Sequence, residues 1–159
     1  MRTLIAGLSA AAAVAAAAAV IGPVSAMAES SASPTKSTTH VLNLTTKMVA
    51  FAPIDVPPAG PSAGDGMAIV GHVFAGSKRD GLATAHCMAT HVKNPALMIC
   101  TIDYALRRGL IATTAYSSNG GATQTLVIVG GTGAYAGVRG YGTLKPTSAG
   151  SKVTLHLIR

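Results

Sequence analysis

From residue 40 onward, apolar residues recur in short runs rich in Val, Ile, Leu and Thr, and each run is closed by Gly, Pro, Asn or Ser. No window carries an apolar stripe at the 3.6-residue spacing of a helix. The pattern predicts eight strands, at 40–51, 67–74, 82–92, 97–107, 110–117, 123–129, 138–145 and 152–158. The segment 52–66 holds four prolines and three glycines and reads as a long loop. The other breaks are short: a polar turn at 76–81, a tight turn from Lys93 to Pro95, Gly109, the hairpin sequence Asn119-Gly120-Gly121, and 148–151.

Consecutive short strands with short turns form an antiparallel meander. Eight such strands, apolar on both faces, are hard to leave as an open sheet, and closure removes the edges. The predicted fold is therefore all-β, an eight-stranded antiparallel up-and-down barrel. A barrel of eight strands is either filled by its own side chains or holds one small ligand. In the sixth strand Leu126, Val127, Ile128 and Val129 are apolar on both faces, which predicts cover from outside and hence a homo-oligomer.

The chain ahead of the strands follows a different pattern. Arg2 precedes an uncharged, alanine-dominated run over 4–21, then Gly22-Pro23, then the small-x-small site Ala26-Met27-Ala28. This is the layout of an export signal, so 1–28 is expected to be cleaved, 29–39 to form a flexible Ser/Thr/Ala-rich leader, and 40–159 to be the barrel domain. The alternative is a retained anchor, since the run is nearly long enough to span a bilayer. Alanine is close to neutral for insertion, which favours cleavage and no membrane attachment afterwards. The expected location is extracellular.

The chain's net charge of +7 reflects five acids rather than many bases. Lys and Arg are scattered and aromatics make up 4% of residues, so no nucleic-acid footprint is present. An exported protein meets an oxidising compartment, where Cys87 and Cys100 are expected to bond. Placing Cys87 opposite Cys100 also pairs Val92 with Pro95 and leaves Lys93 and Asn94 as the turn.

Asp103 is the one acid inside a predicted strand. Facing a lumen, it would have to be paired or protonated, which makes it the acid–base candidate. The alternative is an outward Asp paired with a nearby Arg. Alternation puts Asp103 on the face of Arg107 and the two cysteines on the opposite face. Tyr104, Tyr116 and Tyr141 are candidate ligand contacts, with packing or rim positions as the alternative. The histidines show no His-x-His or His-Glu-x-x-His spacing, so neither a metal nor another cofactor is expected. No G-x-S-x-G elbow supports a serine hydrolase.

The most distinctive segment runs Val129-Gly130-Gly131-Thr132-Gly133-Ala134-Tyr135-Ala136-Gly137-Val138-Arg139-Gly140-Tyr141. Its Gly131-x-Gly133-x-x-Ala136 matches the spacing of a dinucleotide fingerprint, but no βαβ unit surrounds it and no later acid could hold a ribose. Gly130, Gly131, Gly133 and Gly137 instead suit a bulged barrel corner.

That segment resembles the signature of the allene oxide cyclase and dirigent superfamily, in which a G-G-T-G-x-[FY] corner follows the sixth strand. Gly64-Asp65 before the second strand and Cys87 in the third resemble further features of it, and the order of elements agrees over 41–159. The resemblance implies an eight-stranded barrel, commonly trimeric, with an apolar cavity. Plant allene oxide cyclases rearrange a fatty-acid epoxide to a cyclopentenone, and dirigent proteins steer radical coupling of phenols. The resemblance makes Asn43 a ligand contact and leaves a free Cys87 in the cavity as a second reading of that residue. The first-strand Glu of the cyclases has no counterpart beside Val41-Leu42-Asn43. The implied function is isomerase- or cyclase-like shaping of an apolar small molecule in the cavity. The alternatives are a non-catalytic small-molecule carrier and a filled structural barrel.

Overall fold

The computed structural model describes residues 37–93, 96–118 and 122–159. The expected signal at 1–28, most of the leader, Asn94-Pro95 and the turn Asn119-Gly120-Gly121 lie outside the described residues.

Eight strands form: β1 (Thr39–Ile54), β2 (Gly66–Ala75), β3 (Lys78–His91), β4 (Leu97–Leu106), β5 (Gly109–Ser118), β6 (Gln124–Gly131), β7 (Arg139–Thr147) and β8 (Gly150–Ile158). Each pairs antiparallel with its sequence neighbour, and β1 closes on β8 to complete a barrel. Among the described residues the only helical element is one 3-10 turn, Gly133–Tyr135.

Several strands outrun their predicted ends, β1 and β3 the furthest. β1 continues through Pro53, and β3 starts at Lys78, leaving only Gly76 and Ser77 as the β2–β3 turn. The reason lies in the stagger of the barrel. The β1–β8 pairing ends at Lys47 with Gly150, so from Met48 onward β1 pairs with β2 alone. That stretch is an edge, where a proline is tolerated. Pro146 is accommodated the same way, beyond the last β6–β7 pair, Gln124 with Leu144.

Alternation along the strands divides the side chains between lumen and exterior. On β4, Cys100, Ile102, Tyr104 and Leu106 are buried, while Thr101 and Ala105 between them are exposed. One half of the lumen is filled by Leu44, Val73, Leu106, Ile111, Ile128, Leu155 and Leu157.

The glycine corner closes that filled half. The Thr132 amide donates to the Leu110 carbonyl (2.9 Å), and the Ala134 amide donates to the Arg108 carbonyl (2.7 Å). The Leu110 amide in turn donates to the Thr132 hydroxyl (3.1 Å). The approach is so close that a Cβ on Gly109 would lie 2.1 Å from the Thr132 carbonyl oxygen. Gly133, at φ +58°, would place a Cβ 2.6 Å from the Arg108 carbonyl oxygen. The corner is therefore a packed seam between the β4–β5 and β6–β7 connections, and it carries Tyr135 and Val138 onto the core.

Candidate ligand cavity

The other half of the lumen is open. It encloses a cavity of about 510 Å³. The size of the small residues accounts for the space. The row Gly71, Ala83, Tyr104 is in register across β2, β3 and β4, and two of its three residues carry almost no side chain. Above it toward the mouth lie Ile69, Ala85 and Ile102, and then Met67, Cys87 and Cys100. Below it, Val73 and Leu106 are packed core. Tyr104 thus sits at the inner end of the cavity.

Cys87 and Cys100 are bonded to each other. The expected pairing is present, and both residues line the cavity. A disulfide and the thioethers of Met48, Met67 and Met98 give the wall a soft, polarisable surface that adapts to an irregular apolar guest.

Two pairs of polar groups near the mouth are engaged with one another. The Thr46 hydroxyl donates to the Ser151 hydroxyl (3.2 Å). The Gln124 amide donates to the Ser117 hydroxyl (3.1 Å). Among the described residues no Asp, Glu, His, Lys or Arg lines the cavity. Tyr104 is the ionisable exception. Burial without a compensating charge pushes its phenol well above the usual tyrosine range, so it stays protonated at any physiological pH.

The other sequence-derived candidates lie on the outer face. Asp103 is half-buried and outward, between Thr84 and Ala112 on the neighbouring strands. Arg107 shares that outward parity, but its guanidinium Nε pairs with Asp80 Oδ1 at 2.7 Å rather than with Asp103. Asn43 is exposed and accepts a hydrogen bond from the Thr154 hydroxyl (3.0 Å). Tyr141 is exposed and stacks on His156, with ring centroids 4.6 Å apart. Tyr116 lines a separate outer concavity of about 580 Å³ with Ile99 and Val127. Of the four tyrosine and asparagine candidates for ligand contact, the lumen receives Tyr104 alone.

Parity explains the split. Cys100 and Tyr104 differ by an even number and share a face, and Asp103 differs from both by an odd number. Composition alone did not single out Met67, Met98, Ser117 or Gln124. Their signal is positional, since each stands at a strand end near the mouth, on the cysteine face.

Neither a family model nor a curated protein sequence matches the chain. Solved structures do. A pyocyanin demethylase is 25% identical over 74% of this chain and 99% of its own, with a TM-score of 0.68. An exo-specific intermolecular Diels-Alderase is 14% identical, covering 79% of this chain and all of its own, with a TM-score of 0.62. A pterocarpan synthase dirigent protein is 19% identical over 84% of this chain and 97% of its own, with a TM-score of 0.53. The closed eight-stranded antiparallel barrel is thus a fold that this chain shares with these proteins, a dirigent protein and a Diels-Alderase among them.

Proposed function

We propose that this chain is an exported barrel that takes an uncharged, largely apolar small molecule into its lumen and fixes its conformation, so that a cyclisation or isomerisation proceeds by templating. One observation carries this reading: a cavity of about 510 Å³ with apolar and sulfur-containing walls and no charged group among the described lining residues. The volume lies within the range that encloses a drug-sized molecule, about 300–1,000 Å³. A purely structural barrel has no use for that space. Holding a reactive molecule in one geometry accelerates an intramolecular step without any acid or base. The named activities of two of the three structural neighbours, a Diels-Alder cycloaddition and a pterocarpan synthesis, accord with such a role, while the third, a demethylase, shares the barrel with a different named reaction. The same uncharged lumen also suits a non-catalytic carrier, and turnover of a bound molecule separates the two.

Export accords with a lumen disulfide, which persists in an oxidising compartment. Self-association, with a trimer as the arrangement the resemblance implies, accords with the outward apolar residues Val41, Ile99, Val127, Val129 and Tyr141. Native mass spectrometry of the purified protein tests both, by reporting the mature N-terminus and the number of copies.

The cavity is tested with N-phenyl-1-naphthylamine, a neutral dye that fluoresces in apolar surroundings. The dye should bind once per chain, and Ala85→Phe, which fills the lumen from β3, should abolish binding while the fold persists. Equal binding to A85F would place the dye on the outer face and sink the reading.

A further inference from the structure

We propose that Tyr104 is the hydrogen-bond donor that seats the ligand, and that the cavity selects uncharged apolar molecules carrying an acceptor oxygen, such as a carbonyl, at the end that enters first. This rests on the cavity reading above and specifies its substrate class.

Tyr104 is fully buried, and its hydroxyl has no hydrogen-bond partner among the described residues. A buried hydroxyl left unpaired is costly, and native proteins rarely leave one without a purpose. Its place in the barrel supplies the purpose. On β4 the side chains that line the cavity run Met98, Cys100, Ile102, Tyr104 from mouth to inner end, and the next inward residue, Leu106, is packed core. The cross-strand neighbours of Tyr104 in that row are Ala83 and Ile111, neither of which offers a side-chain acceptor.

Two pairs of polar groups nearer the mouth bond to each other, Thr46 with Ser151 and Gln124 with Ser117, and the rim also carries the hydroxyls of Thr147 and Ser148. A guest thus meets hydroxyls and an amide at the entrance, sulfur and aliphatic walls in the middle, and at the inner end Tyr104, whose unpartnered hydroxyl is shut off from water in the empty cavity and is reached only as the entering guest displaces the side chains over it. The phenol keeps its proton because burial disfavours the phenolate. It therefore offers a hydrogen and attracts an acceptor. A carboxylate or ammonium would find no opposite charge in the described walls to offset its desolvation.

Matched probes test this. Benzophenone and diphenylmethane differ by one carbonyl oxygen, and each can be titrated against the bound naphthylamine dye in the wild-type protein and in Tyr104→Phe. The substitution removes one hydroxyl oxygen and leaves the ring that fills the site in place. The expected result is a loss of benzophenone affinity by about 5- to 10-fold with diphenylmethane unchanged, and a melting temperature in Y104F at or above that of the wild type. Equal benzophenone affinity in the two proteins overturns the proposal, as does an equal loss for both probes, which would leave the tyrosine a shaping residue only. A wild-type protein that binds neither probe overturns the cavity reading itself. Infrared spectroscopy of the unmutated protein gives an independent check. The carbonyl stretch of bound benzophenone should fall to its hydrogen-bonded position, and a stretch matching that in hydrocarbon solvent counts against the donor.

Discussion

Cys87 and Cys100 stand directly opposite each other on β3 and β4, and the bond between them forms part of the cavity wall. The bond closes a span of 13 residues that a hairpin already holds together. Chain-entropy reasoning gives about 3 kcal/mol for a loop of this size, and the existing hairpin contacts in the unfolded ensemble lower that. Replacing both cysteines by Ala is expected to cost about 2–3 kcal/mol in urea denaturation and to loosen the wall enough to weaken dye binding. An unchanged urea midpoint would show that the hairpin alone sets the local stability.

The seam formed by the glycine corner yields a contrast within one segment. A Cβ on Gly109 would meet the Thr132 carbonyl oxygen at 2.1 Å, and Gly109 sits at φ +140°. Gly137 also has a left-handed backbone, at φ +73°, but a Cβ there meets nothing within 4 Å. Gly137→Ala should therefore cost about 1 kcal/mol from backbone strain alone. Gly109→Ala adds a backbone collision and should cost about 3 kcal/mol or more. Denaturation midpoints measure both. Equal losses would mean that the corner yields freely and is not a packed seam.

These glycines also show how far the sequence could be read. The strand count, the antiparallel order and the barrel follow from the apolar runs and their breaks, because turns are marked locally by Gly, Pro and Asn. The Cys87–Cys100 pair agrees with counting back along a hairpin, but nearer the turn a bulge sets His91 opposite Leu97 rather than Ala96, one residue off the expected register. What local pattern could not reveal is which face of each strand is the lumen. Leu126, Val127, Ile128 and Val129 are apolar on both faces, yet only Leu126 and Ile128 are buried. With that parity open, Asp103, Asn43, Tyr116 and Tyr141 were as eligible as Tyr104. Anchoring the disulfide in the lumen fixes β4 at once, but carrying the parity to β1, β5 and β7 needs the cross-strand registers and the bulges at Met48/Ala50 and Ala112/Thr113. Such offsets depend on closure of the whole barrel, and no local sequence signal encodes them.

The outward placement of Asp103 has a direct consequence. Asp103→Asn should leave dye and benzophenone binding within about twofold of wild type, a change comparable to ordinary surface substitutions. Since the described cavity walls carry no carboxylate, imidazole, amine or guanidinium, affinity for an uncharged probe should also be flat between about pH 5 and pH 9, the interval in which a lumen histidine would titrate. Titrating the naphthylamine dye across that interval checks this. A sigmoidal step would reveal an ionisable group at the site.

Acid sensitivity should instead come from Asp65, in the connection between β1 and β2. Its carboxylate accepts from the Val56 amide (2.9 Å), the Ser62 amide (2.7 Å) and the Ser62 hydroxyl (3.0 Å). Its own carbonyl accepts from the Ala89 amide (2.6 Å), which ties the loop to the end of β3. The backbone hydrogen bonds from Val56 and Ser62 favour the charged form and hold this carboxyl below the usual aspartate range. A depressed folded-state pKa means that the ionised group contributes stability at pH above its unfolded value, and that this contribution fades as pH falls through the lower folded value. The stability difference between wild type and Asp65→Asn should therefore be constant from neutral pH down to about pH 5 and shrink below about pH 4. Asn keeps one acceptor oxygen and the side-chain shape, so the variant isolates the charge. Thermal melts of both proteins over this range measure the effect, and a difference that grows on acidification would reverse the sign argued here and show that the protonated form of Asp65 is the one the loop prefers.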